Sequence, residues 1–338
     1  MKIKIDGKFY NFFDEIAINY KLDSVASVFS FKARFNPDNK EHKSVFKPLQ
    51  FKKVEIYTND NKLRFTGVIV NTDLSDSASA SLQNISGYST PGKLEDCTIP
   101  FQDYPLEKNN VTLTNIAEIF LKSFDVPFVV DESAKRDMEL EYIKTSAGAT
   151  ETFKAFISKL ASQRNIILGH TPKGELRFFK PNFNQKAKHS FNRENTLSMS
   201  LKVKGQAMHS HISVIRQSSV KGSNITPADT VSNRLVGDFK RPTVKILSSG
   251  IESATKKAAN NILASELRNI SLSVNLHKIL DLECGDTVEV INKHVFLYEK
   301  TTFVISEISI SENVSGEGMS LSLVLPETYT GEVPKLLF

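Results

Sequence analysis

The 338-residue chain has no tryptophan, only two cysteines and no run of 18 apolar residues. Cys97 and Cys284 lie far apart without a Cys-x-x-Cys spacing, which argues against a disulfide framework or a structural zinc site and fits a reducing compartment. The polar start, Met-Lys-Ile-Lys-Ile-Asp, has no apolar core of signal-peptide length. We therefore expect no membrane segment and a product that stays in the compartment where it is made.

The motifs of common enzymes are also missing. The sequence contains no Gly-x-Ser-x-Gly elbow, no His-Glu-x-x-His, no Walker-type loop and no Gly-x-Gly-x-x-Gly after a strand. Asp137, Glu139 and Glu141 form an acidic patch, but paired carboxylates do acid–base work only in a cleft that raises a pKa. Cys97 has no histidine nearby in the sequence, and its acidic neighbour Asp96 would raise the thiol pKa. We interpret the patch as a solvated edge and predict no catalytic residue, no cofactor and no enzyme activity.

Two histidines form the best candidate for a metal pair. His209 and His211 are two apart in a strand-like stretch, so both rings would project from one face. Zinc needs a third protein ligand, and no other histidine is near in the sequence. The pair is therefore interpreted as part of a solvent or interface strand face, and no metal site is predicted.

Positive charge is concentrated in one part of the chain. Residues 151–250 contain 17 Lys and Arg against 5 Asp and Glu, whereas the remaining residues hold 26 against 33. Clustered cations can bind nucleic acid by releasing counterions, but these cations are dispersed and lack interleaved aromatic residues. A basic face that docks on an acidic protein surface is the favoured interpretation.

Residues 1–95 have the pattern of an antiparallel β unit. Alternating apolar and polar residues predict its strands, at about 2–5, 9–10, 16–22, 29–35, 54–57, 63–70 and 79–85. The alternation ends at Gly87, before the turn at Pro91-Gly92. Short strands with tight turns and no helix are typical of a small barrel or sandwich.

The pattern changes to a helical period in residues 96–185. One predicted helix, with Thr112 as its N-cap, has an apolar face of Leu113, Ile116, Ala117, Phe120 and Leu121. A second has an apolar face of Phe153, Phe156, Ile157, Leu160 and Ala161. A short buried strand at 124–130 lies between the helices, and a hairpin of 166–170 with 175–179 follows. These segments predict a compact α/β module inserted in the barrel.

Strand patterns return after residue 186, at 197–203 and 212–217. Residues 218–250 are rich in Ser, Lys, Gly and Pro and are the least structured in pattern, and a strong amphipathic helix follows at 252–268. Further strands are predicted at 270–276, 288–291, 302–311 and 319–325. This order of segments indicates two similar barrels.

The predicted fold class is α+β, mainly β, with two tube-like antiparallel β-barrels and inserted α/β modules. The predicted domains are a first barrel (1–95), an α/β module (96–185), a second barrel (186–220 plus 270–330), a linker and helix insertion (221–269) and a C-terminal tail (331–338).

Several stretches resemble, in the same order, the baseplate hub proteins of contractile-tailed phages, the Mu-type or late-control-D-like family. A strand that ends at Gly87, a polar turn and then Leu94-Glu-Asp-Cys97 form one of these stretches. The others are residues 5–10, 23–29, 66–70, 113–117, 151–156, 174–178, 210–217 and 284–288. The Lys-rich 218–250 segment and the basic bias depart from the family pattern.

The resemblance implies a structural hub of a contractile phage tail or tailocin, related to T-even hubs and to the hub part of type VI secretion spikes. A homotrimer would form a ring that adapts the sixfold tail tube to the threefold central spike. The implied partners are the tail-tube protein, the spike protein, other baseplate proteins and the tape-measure protein, with nucleic acid only as the passing genome. The implied location is the baseplate of the virion tail, assembled in the host cytoplasm.

The chain stops at Phe338, shortly after its last predicted hairpin, so we expect the spike to be a separate protein. A tail-associated hydrolase or carbohydrate-binding protein is the alternative from a different class. Hydrolysis of peptidoglycan would favour that alternative, and the lack of an acid–base constellation speaks against it.

Overall fold

The computed structural model describes residues 1–10, 12–76, 81–183, 185–216, 229–247, 255–334 and 337. It contains two compact units. Unit 1 is formed by Met1–Lys180 with Ser309–Gly318, and unit 2 by Pro181–Ile308 with Met319–Phe338. The α+β, mainly β, fold class is confirmed, since antiparallel sheets predominate and helices are interspersed.

The first 90 residues of unit 1 form one antiparallel array. Its elements are β1 Lys2–Ile5, β2 Lys8–Tyr10, β3 Phe13–Lys21, β4 Val28–Arg34, α1 Lys40–Val45, β5 Lys53–Tyr57, β6 Leu63–Asp76 and β7 Ser81–Ser89. The strands lie in the order β3-β4-β7-β6-β5-β1-β2, and every neighbouring pair is antiparallel. The period-two pattern is confirmed on β3 and β4, where every second side chain (Ile16, Ile18, Phe29 and Phe31) is buried.

Two details of this array differ from the predictions. The strand that was predicted to end at Gly87 continues to Ser89, and residues 79–80 of its pattern lie outside the described residues. The short helix α1 was not predicted, because it buries none of its side chains and so has no apolar period. Its N-cap is Asn39, whose side chain accepts hydrogen bonds from the backbone N–H groups of Glu41 and His42.

The rest of unit 1 is an α/β module. Its elements are α2 Lys93–Asp96, β8 Glu107–Thr112, α3 Leu113–Ser123, β9 Phe128–Val130, α4 Glu132–Met138, β10 Glu141–Ser146, α5 Phe153–Ser162, β11 Ile167–His170 and β12 Leu176–Phe179. The predicted apolar faces of α3 and α5 are confirmed, and their side chains share one core with Phe178. The strand predicted at 124–130 is confined to Phe128–Val130, where the side chains are only half-buried.

Unit 2 contains a second array and a smaller sheet. Its elements are β13 His189–Phe191, β14 Ser198–Val203, β15 His211–Arg216, β16 Asp229–Ser232, β17 Pro242–Leu247, α6 Thr255–Leu267, β18 Ile270–Leu276, β19 Thr287–Asn292, β20 Leu297–Asn313, β21 Gly316–Val324 and α7 Glu327–Thr330. The array has the order β14-β18-β21-β20-β19, with β13 parallel to β19. Residues 309–313 of β20 and 316–318 of β21 count with unit 1.

Residues 218–250 were predicted to be the least structured part of the chain. This prediction is wrong for β16 and β17, which belong to a three-stranded sheet. They flank β15 in the order β16-β15-β17, and α6 packs against β15 and β16. β15 therefore pairs outside the array, although the sequence analysis had placed it in the second barrel. Gln217 and residues 252–254 of the predicted helix lie outside the described residues.

The two large arrays repeat one strand order. In unit 1 five strands follow β3-β4-β7-β6-β5, and in unit 2 five strands follow β14-β18-β21-β20-β19. In each array the first two strands along the chain are neighbours. The last two strands form a long hairpin; one strand of this hairpin pairs with the second strand of the array, and the other pairs with the third. β3 thus corresponds to β14, β6 to β20 and β7 to β21. This correspondence supports the predicted duplication of one β unit.

Candidate functional surfaces

Two of the three carboxylates of the predicted acidic patch form separate local contacts. Asp137 at the end of α4 forms an ion pair with Lys180. Glu139 accepts a hydrogen bond from the hydroxyl of Thr114 at 2.6 Å. Glu141 begins β10 and is exposed. These contacts suit a surface edge, and the absence of a catalytic role stays a prediction.

Arg164 lies at the C-terminal end of α5 and connects it to the neighbouring elements. Its Nη1 donates to the carbonyl oxygen of Asp137 at 2.7 Å, and its guanidinium carbon lies 3.7 Å from the centre of the Tyr142 ring. The Tyr142 hydroxyl donates to the carbonyl oxygen of Leu160 at 2.8 Å. Burial raises the pKa of Tyr142 to about 12, so the hydroxyl remains a donor at neutral pH. This group of contacts stabilises the module.

The two histidines do not share a strand face, because β15 begins only at His211. His209 instead contacts α6: its backbone N–H donates to Glu266 Oε2 at 2.9 Å, and its Nδ1 lies 2.7 Å from Oε1. His211 Nδ1 lies 3.0 Å from the hydroxyl oxygen of Ser210. Within the described ranges, no three His, Cys, Asp or Glu side chains are grouped so that they could hold a metal ion.

Neither cysteine forms a disulfide. Cys97 is exposed and Cys284 is half-buried. The backbone carbonyl of Cys97 accepts a hydrogen bond from Phe153 N at 3.0 Å, so this residue connects α2 to the start of α5. Burial, and a hydrogen bond to Asp96, raise the pKa of the nearby Tyr88 hydroxyl. The Gly87–Cys97 stretch therefore joins the array to the module and holds no catalytic pair that we identify.

Part of the positive charge of residues 151–250 is neutralised by acids outside that segment. The ion pairs are Lys154 with Glu95, Arg177 with Asp131, Lys180 with Asp137 and Lys188 with Asp286. Lys202, Lys204, Lys240 and Lys245 are exposed and form no ion pair with a described residue. These four lysines lie on and beside β14 and β17.

The tip of the long β20/β21 hairpin is part of unit 1, where it pairs with β3. Asn19 Nδ2 donates to the Ser309 hydroxyl oxygen at 2.7 Å. The N-terminal amine forms an ion pair with Glu312. Sequence reasoning missed this contact, because nothing in a local pattern connects residues some 300 positions apart.

Several large apolar side chains of the described residues are exposed. Leu49 and Phe51 are exposed and have φ values of 61° and 47°, a left-handed conformation that is strained for bulky residues. Ile143 on β10 and Val244 and Ile246 on β17 are also exposed. In the sequence, the apolar residues beside Pro48 could have indicated the exposed Leu49 and Phe51.

No helix in the described part of the chain is both long and apolar enough to cross a membrane. No family model matches the sequence, and no curated protein matches it.

Solved structures of tail proteins have the same fold over nearly the whole chain. The 43 kDa tail protein of prophage MuSo2 from Shewanella oneidensis is 19% identical, with a TM-score of 0.81 over 97% of this chain and 98% of that one. A tail protein from Neisseria meningitidis is 18% identical, with a TM-score of 0.77 over 98% of each chain.

A more distant structure is a type VI secretion component from Escherichia coli, which is described as similar to the T4 tail proteins gp27 and gp5. It is 11% identical, with a TM-score of 0.59 over 100% of this chain and 80% of that one. The fold of the chain is therefore that of phage and prophage tail proteins, shared with a type VI secretion component.

Proposed function

We propose that the chain is a structural hub subunit in the baseplate of a contractile phage tail or tailocin. The observation that carries the proposal is a likeness to prophage tail proteins that covers both units. A fold alone does not define a function, so the repeated strand order is a second support.

We further propose a homotrimeric ring that joins the sixfold tail tube to the threefold spike. A chain with two copies of one β unit presents six quasi-equivalent units when three chains form a ring, and identical contacts repeated by rotation close such a ring. One rim would then match a sixfold tube and the other a threefold spike. The two β units are proposed to be tube-like barrels, and the α/β module to lie outside the ring.

The proposed role is not enzymatic. Partners would be the tail tube, the central spike protein, other baseplate proteins and the tape-measure protein, with the genome passing through the ring. The protein would assemble in the host cytoplasm and reside in the virion tail. The exposed lysines of unit 2 are suited to an acidic neighbour in this assembly.

Imaging of the assembled tail end tests the proposal. We expect three copies of the chain around a channel, with six β units in the ring. Six copies, or a single copy on the axis, would contradict it. Hydrolysis of peptidoglycan by the purified chain, lost on Glu139→Gln or Glu141→Gln, would contradict the non-enzymatic role.

A further inference from the structure

We propose that the outer edge of β14 in one copy is covered by residues 71–76 of β6 (the β6 tip) in a second copy, as β20 covers β3 within one chain. The inference rests on the proposed ring and names the contact that would close it. It follows from comparing the same position in the two repeats.

In the first repeat the edge is covered. β3 pairs with β4 on one side and with β20 on the other. Its core-facing side chains Ile16 and Ile18 are 0% and 1% exposed. Ile310 at the covering tip is 4% exposed, and Asn19 donates to Ser309 across this contact. Strand addition thus removes both the apolar surface and the free backbone groups of the edge.

In the second repeat the corresponding edge is open. Among the described residues, β18 is the only strand that pairs with β14. Met199 and Leu201 lie opposite the buried Val274 and Leu272, yet both are only half-buried. The side chain of Asn292 contacts the sulfur of Met199 but adds no strand.

The side chains at the two ends of β14 are also accessible. Leu197 is 56% exposed and Val203 is 45% exposed. An open strand edge with exposed apolar residues is unusual in a soluble protein, because it invites pairing with another chain. A strand from outside the chain is therefore expected here.

The hairpin that corresponds to the β20 tip is β6 with β7. Beyond its pairing with β5, β6 continues through residues 71–76, where most side chains are exposed. Leu74 in this stretch is 58% exposed, in contrast to the buried Ile310 of the other repeat. Among the described residues, the edge of β14 thus has no covering strand, whereas residues 71–76 of β6 are a strand segment that covers no such edge.

Charge favours a second copy of the chain as the partner. Lys202 on β14 and Lys204 beyond its end are exposed, and the β6 tip carries the exposed Asp73. The two surfaces are different and complementary, so the contact is head-to-tail and can close into a ring. Each copy would offer one edge and one tip.

Charge reversal and compensation test this contact. The full chain would be studied by sedimentation over a concentration series, as wild type and as Lys202→Glu, Asp73→Lys and the double variant. Each single variant is expected to weaken self-association by about fivefold per contact, and the double variant to restore it. Lys173→Glu, an exposed charge change on unit 1, is the matched control. Circular dichroism confirms that each variant is folded.

An apolar variant and a cross-link provide independent evidence. Leu74→Ser should weaken association, whereas Ile143→Ser, at an exposed site on β10, should not. A zero-length carbodiimide should join Lys202 or Lys204 of one copy to Asp73 of another, which mixing isotope-labelled with unlabelled protein would identify.

A monomer at every soluble concentration would overturn the inference, as would association that responds equally to the test and control variants. Association without compensation in the double variant would also overturn it. If tail images still show three copies, the proposed function stands and only this contact is wrong. A different copy number in those images would reject the proposed function itself.

Discussion

At the residue scale, two glycines allow strands β6 and β7 to approach closely. A Cβ at Gly67 would lie 2.2 Å from the Tyr88 carbonyl oxygen, and one at Gly87 would lie 1.9 Å from that of Val68. Contacts this short with backbone atoms cannot be relieved by a side-chain rotation. The glycine in the Gly87 stretch is therefore required by packing inside a continuing strand, and not by a strand end as the sequence suggested.

Gly87→Ala is expected to destabilise unit 1 by about 1–3 kcal/mol, because the new methyl group would collide with Val68 and with the ring of Phe29. Gly205→Ala is the control, since no atom lies within 4 Å of its Cβ position. Thermal unfolding would measure both. Equal midpoints for the two variants would show that the strands can separate without cost.

At the scale of elements, the helices of the module are specified locally. Thr112 caps α3: its hydroxyl accepts from Asn115 N at 3.1 Å, and the Asn115 side chain accepts from Thr112 N at 3.2 Å. The five residues of the predicted apolar face are all buried. Because caps and helical periodicity are short-range features, this helix could be predicted from the sequence alone.

Thr112→Ala should lower the free energy of unfolding of unit 1 by about 1 kcal/mol, since the cap hydrogen bond is lost. Thr112→Ser keeps the hydroxyl and should retain most of the stability. Urea denaturation followed by circular dichroism would check this. If the serine variant were as unstable as the alanine variant, the methyl group and not the cap would be responsible.

Other elements could not be predicted in this way. β17 pairs with β15 in parallel across some 30 residues, and β16 approaches from the other side of β15. The strands are short, and the 218–250 segment around them is rich in Ser, Lys, Gly and Pro, so its overall composition favours a loop. In addition, α6 packs against β15 and β16 from a later part of the chain. Tertiary packing therefore decides this sheet.

At the scale of the whole molecule, the net charge of a segment predicted only part of the distribution of charge on the surface. Residues 151–250 contain 17 Lys and Arg against 5 Asp and Glu. Several of those cations, however, form ion pairs with acids from other parts of the chain, such as Glu95, Asp131 and Asp286. Exposed lysines without an ion pair to a described residue remain on and beside β14 and β17, namely Lys202, Lys204, Lys240 and Lys245.

Docking of the chain on an acidic neighbour should weaken with salt, because the Debye length falls from about 10 Å at 0.1 M to about 3 Å at 1 M. Binding of the purified chain to purified tail tubes of the same phage would measure the effect. Lys240→Glu with Lys245→Glu should reduce binding at low salt and flatten the salt dependence, whereas Lys173→Glu should not. Binding that is insensitive to salt would contradict a charge-driven contact.

Local patterns of residues specify the alternating strands of residues 1–90, the apolar faces of α3 and α5, and the Thr112 cap. Which strands are neighbours, the repeated strand order, the place of the 309–318 tip in unit 1 and the partners of Asp137 and His209 depend on long-range packing. An alternating pattern indicates that one face of a strand is buried, but it does not indicate which strand is its neighbour in the sheet. Backbone pairing uses groups that every residue has, so the choice of partner depends on the packing of the whole unit.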